Sequence, residues 1–64
     1  MSLERIKMYI GETVFCFWCN LVNDKNIPYQ QKIEIIKNAI KTIKQEKETT
    51  AKNAELILLN YFLS

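Results

Sequence analysis

The sequence predicts an all-α fold, and three observations carry that prediction. Apolar residues recur at alternating spacings of three and four, the signature of a buried helical face. A single glycine and a single proline in 64 residues leave room for few turns, so the chain is divided into a few long elements. And no two segments read as partner strands: the best match to the β-forming run in the first third is itself a helical pattern.

The first element is expected over residues 3–22. Ser2 is placed to cap it, and Glu4 lies in the first turn, where a negative charge suits the helix dipole. Leu3, Ile6, Ile10, Val14, Phe17 and Leu21 mark one face. Met8, Phe15, Trp18 and Val22 form a second stripe, so the later half of this helix is apolar nearly all round and needs cover on more than one side. A strand over residues 13–18 is the competing reading. Thr13 to Trp18 is rich in β-formers, and Gly11 is a plausible break just before it.

Asn23-Asp24-Lys25-Asn26 is the clearest turn. Asn26 is the expected cap of a second helix over residues 28–47, and Pro28 fits its first turn, where a missing N–H costs nothing. Tyr29, Ile33, Ile36, Ile40 and Ile43 alternate four and three apart in a coiled-coil-like seam, with Ile35 and Ala39 beside it. From Lys44 to Asn53 the chain is polar. Either the second helix continues there, or a third begins at the Thr49-Thr50 pair, which offers a cap. The expectation is a third helix over residues 50–63. Ala54, Ile57, Leu58, Tyr61 and Phe62 form its main stripe, widened by Leu56, Leu59 and Leu63.

These elements assemble into one small domain, residues 1–64. It is a helical hairpin over residues 3–47 closed by the C-terminal helix, and two copies are expected to pack as a homodimeric bundle. The reason is a count of faces: helices one and three are each apolar over more than one side, and one hairpin covers only one side of each. The expected shared core is Val14, Phe15, Phe17, Trp18, Leu21, Ile36, Ile40, Ile43, Ile57, Leu58 and Tyr61. An apolar fraction of 48% is high for so short a chain and favours the same conclusion.

Net charge is +2, well short of the balance of a dedicated nucleic-acid binder. It is unevenly spread: residues 23–53 hold seven lysines against four acids. No stretch reaches the roughly 18 apolar residues that cross a bilayer, and no signal-peptide pattern is visible. The expected setting is cytoplasmic, with reduced thiols and no membrane partner.

Four features invite a chemical reading. Cys16 and Cys19 form a C-x-x-C pair on one helix face. A redox motif needs a βαβ context that is absent. A zinc site needs four ligands, so it requires an intermolecular site built from both cysteines of two chains. Simple packing is the favoured reading, since free cysteine is among the most buried residue types. Lys37, Lys41 and Lys44 lie four and three apart, a possible nucleic-acid contact. They lack interleaved aromatics and arginine, and Glu34, Glu46 and Glu48 dilute them, so a solvated face is favoured. Phe15, Trp18, Val22, Ile36, Ile40, Ile57, Tyr61 and Phe62 are the expected partner or dimer interface, with the chain's own core as the other destination. Glu12 is a solitary carboxylate: with no histidine and no paired acid, it has no catalytic company.

The sequence therefore points to a non-enzymatic chain without a cofactor. It acts by binding protein, as a homodimer or with a foreign partner, in a regulatory or adaptor role. Two alternatives remain: a helical-dimer nucleic-acid binder using the lysine face, and a zinc or thiol protein centred on Cys16 and Cys19.

Overall fold

The computed structural model describes all residues, 1–64. It contains four α-helices and no strand: α1 (Leu3–Ile10), α2 (Glu12–Asn23), α3 (Tyr29–Lys44) and α4 (Thr50–Leu63). The β-rich run Thr13 to Trp18 is helical, as part of α2.

The single helix expected over residues 3–22 is two. Gly11 separates them with φ 91° and ψ 152°, a backbone region open essentially to glycine alone. The apolar periodicity passes through Gly11 without a change of phase, so it gave no sign of the bend. At the other end of α1, Ser2 Oγ accepts from the Arg5 amide at 3.2 Å, completing the expected cap.

The turn at residues 24–28 is built differently from expectation. Asp24 Oδ1 accepts from the Asn26 amide at 2.9 Å, an Asx turn, so Asn26 is held by the turn and does not cap α3. Pro28 precedes the helix, in the cap position, and α3 starts one residue later. It ends at Lys44, three residues short of the expected limit. The polar stretch after it is a loop followed by a new helix. Thr49 Oγ1 caps α4 by accepting from the Lys52 amide at 3.1 Å. Glu48 strengthens that start: Oε1 accepts from Lys52 Nζ at 3.1 Å and Oε2 from Asn53 Nδ2 at 2.9 Å.

Packing departs from the expected hairpin. The chief partner of α1 is α4, which also packs against α3, while α1 and α2 meet around the Gly11 corner. The core is Ile6, Trp18, Ile36, Ile40, Ile43, Ala54, Leu58 and Leu59, drawn from all four helices. Of the residues expected in a shared core, Trp18, Ile36, Ile40, Ile43 and Leu58 are buried inside one chain. Phe15 and Leu21 are half-buried against that core. Val14, Phe17, Ile57 and Tyr61 are exposed, because α2 and α4 each turn only one side of their wide apolar surface inward. Ile6, Ala54 and Leu59 belong to the core although the expectation left them out.

Candidate interaction surface

At 100° per residue, the buried side of α2 is centred on Trp18. Phe15 and Val22 flank it on one side. Leu21, Val14 and Phe17 flank it on the other, with Phe17 furthest from the centre. Trp18 is 7% exposed and its indole Nε1 donates to Glu55 Oε2 on α4 at 2.8 Å. Phe17 is 58% exposed. Its ring stands edge-on to the Trp18 indole, with centroids 5.0 Å apart and planes at 76°. An exposed aromatic is thus braced by a buried one, which is itself tied to a second helix. The contact with Trp18 restricts the Phe17 ring, and an exposed aromatic restricted in advance loses less entropy on binding. Val14, one turn earlier on the same ridge, is exposed as well.

On α4, Ile57 and Tyr61 are one turn apart and both exposed. They lie roughly 160° and 120° around the helix from Glu55, so this flank faces away from the α2 contact. Tyr61 leans against the half-buried Phe62, with centroids 5.8 Å apart. The molecule therefore presents two separate apolar ridges, Val14–Phe17 and Ile57–Tyr61.

The eight expected interface residues are divided by the fold. Trp18, Ile36 and Ile40 are buried, and Phe15, Val22 and Phe62 are half-buried against the core. Only Ile57 and Tyr61 are exposed. Phe17, which the sequence suggested as core, is the more exposed aromatic of α2. Leu3, Met8, Tyr9 and Tyr29 are further large apolar side chains on the outside. Total exposed surface is 4787 Å², about 500 Å² above the roughly 4,300 Å² typical of a folded monomer of this mass.

The polar candidates are placed as follows. Cys16 and Cys19 are free thiols on α2, Cys16 exposed and Cys19 half-buried, and Cys19 lies on the opposite side of the helix from Phe17. No three cysteine or carboxylate side chains come together. Lys37, Lys41 and Lys44 share one exposed flank of α3, and none is in an ion pair. Glu34 shares that flank. Glu12 is exposed at the start of α2. Two polar contacts were not foreseen: Glu55 as the acceptor for Trp18, and Lys32, whose Nζ donates to the Val22 carbonyl at 2.8 Å and so caps the end of α2. A lone carboxylate inside the apolar stripe of α4 was the one available signal for the first. No helix is long and apolar enough to cross a membrane.

No family model, curated protein or solved structure matches the chain.

Proposed function

We propose that this chain is a small non-enzymatic module, regulatory or adaptor in role, that works by binding protein, with a second copy of itself as the first partner. The observation that carries this reading is Phe17: a ring more than half exposed, braced on Trp18, with Val14 beside it on one ridge. Exposed aromatics held in place by their own fold are the residues that dominate protein interfaces once a partner excludes water. The second ridge, Ile57 and Tyr61, adds apolar surface on another side, and the surplus of exposed area points the same way.

The test is sedimentation equilibrium of wild type, Phe17→Ser and Tyr61→Ser over micromolar to millimolar concentrations. Self-association that Phe17→Ser weakens at least tenfold, with the melting temperature unchanged, supports the reading. A wild type that stays monomeric throughout rules out the second copy as partner.

A further inference from the structure

The stripe Leu3, Ile6, Ile10, Val14, Phe17, Leu21 keeps its helical spacing straight through Gly11, yet the chain bends there. The bend cuts the stripe in two. Next to the bend, Ile6 is buried and Ile10 half-buried, whereas Val14 and Phe17 face outward; at the far ends of the stripe Leu3 is exposed and Leu21 packs against the core.

In hydrogen-bonding terms the break is slight. The Gly11 amide donates to the Lys7 carbonyl at 2.9 Å, and the Phe15 amide donates to the Gly11 carbonyl at 3.0 Å. Both are ordinary i to i−4 helical bonds. Only the amides of Glu12, Thr13 and Val14 and the carbonyls of Met8, Tyr9 and Ile10 are left without a hydrogen bond. Those three donors and three acceptors are the missing rungs of one continuous helix. A change at Gly11 alone, from φ 91° to helical angles, closes the ladder. No proline opposes it, and no side chain caps the start of α2 in the bent form.

Straightening has a consequence for packing. The chief partner of α1 is α4. A straight helix over residues 3–23 is about 30 Å long and swings α1 away from the α4 of its own chain, uncovering Ile6. A second copy offers an identical α4 with the same vacancy. We propose that Gly11 is the hinge of a reciprocal exchange, in which α1 of each of two copies packs on α4 of the other. The contacts α1 makes are the same in both forms, so the bent monomer and the exchanged dimer differ mainly at the hinge and at the surface newly formed around the two-fold axis. Val14 and Phe17 follow the hinge directly, so they lie nearest that axis, where the two straight helices meet. Their exposure in the bent form and their place in an unbroken stripe then have one explanation. The inference rests on the protein-binding reading in naming a second copy as partner, but its evidence is the hinge.

Gly11→Ala is the decisive variant. A side chain there meets nothing within 4 Å, so its effect is on the backbone alone. Alanine is excluded from the observed angles, and in a helix interior it is favoured over glycine by about fivefold. The expected result, by native mass spectrometry and circular dichroism, is a folded dimer with helix content at or above that of wild type. A folded Gly11→Ala monomer overturns the exchange and leaves surface docking through Phe17 intact. If Gly11→Ala does not fold, wild type is concentrated to millimolar, heated through its melt and cooled, beside a variant with Gly-Ser-Gly inserted after Gly11. A dimer from wild type that the insertion variant does not form supports exchange, because a longer linker lets α1 fold back on its own chain. No dimer, or a dimer that both form equally, overturns it, and the second outcome identifies an ordinary surface dimer.

Discussion

The Trp18 indole Nε1 donates to Glu55 Oε2 at 2.8 Å, and this is the side-chain hydrogen bond that fastens α2 to α4. It joins residues 37 apart in sequence. Its donor is buried and its acceptor half-buried. Through it, the exposed Phe17 ring is referred back to the core.

Removing the acceptor is expected to loosen that arrangement. Glu55→Ala leaves a buried indole N–H unpaired, a loss of about 1 kcal/mol, at the low end of the range because water reaches the carboxylate side. In a domain of this size that lowers the melting temperature by roughly 4–8 °C. Glu55→Gln retains an acceptor and should lose less. Thermal melts followed by circular dichroism, with tryptophan emission as a local probe, check both. A Glu55→Ala melt that overlays wild type would show that the bond contributes nothing net.

Lys32 allows a contrast with the lysines of the α3 flank. Its Nζ caps the α2 end through the Val22 carbonyl, where a positive charge also suits the helix dipole. Lys32→Ala should cost about 0.5–1 kcal/mol. It should also speed amide exchange over the last turn of α2. Lys37→Ala removes an exposed, unpaired charge and should change stability by less than about 0.5 kcal/mol. Equal effects from the two would mean that the Val22 carbonyl is as well satisfied by water.

The legible parts of the fold were those where one apolar stripe had one place to go. The later part of the α3 seam is such a case: Ile36, Ile40 and Ile43 are buried at the spacing expected, whereas at its start Ile33 is half-buried and Tyr29 exposed. So is the start of α4, where a threonine pair after a polar run marks a cap. Two kinds of feature were hidden. Gly11 was legible as a candidate break, but only ahead of a strand; that it joins two helices is set by its φ, and neither periodicity nor composition encodes a φ value. The inward side of α2 and α4 was hidden because both are apolar nearly all round. A helical wheel then shows that Phe17 and Trp18 both want cover, but not which of them the rest of the chain reaches. Glu55 decides it for α2 by holding Trp18 inward, and that pairing spans too much sequence for any local rule to find.

Acid should weaken the start of α4 in a definite pH window. Glu48 has its pKa lowered from the ordinary 4.5, first by the hydrogen bond from Asn53, then by the hydrogen bond and charge of Lys52. A carboxyl depressed in the folded state stabilises above its unfolded pKa, and that contribution fades as pH falls through the folded value. The stability of wild type should therefore drop below about pH 4.5 by more than that of Glu48→Gln, and the gap between the two melts should close toward acid. A gap that stays constant from neutral to strongly acidic pH would remove Glu48 from the account. The carboxylate is fully exposed, so added salt should narrow the gap at neutral pH as well.

Leu59 and Tyr61 stand two residues apart in one apolar run, and the fold gives them opposite roles. Leu59 is completely buried and Tyr61 is 60% exposed. Leu59→Ala should cost about 2–5 kcal/mol through lost transfer energy and the cavity left behind. That rivals the roughly 3–5 kcal/mol that a single core of this size supplies, so the variant should be largely unfolded near 37 °C. Tyr61→Ala removes a mostly exposed ring whose aromatic neighbour is the half-buried Phe62, and should keep the wild-type melt to within about 1 kcal/mol. Its loss should appear in self-association alone. Denaturant unfolding of both, with sedimentation of the second, separates the roles. A Tyr61→Ala chain that is as unstable as Leu59→Ala would mean that the C-terminal turn of α4 is held by the Tyr61–Phe62 contact, and the Ile57–Tyr61 ridge would then be part of the chain's own packing instead of a surface kept free for a partner.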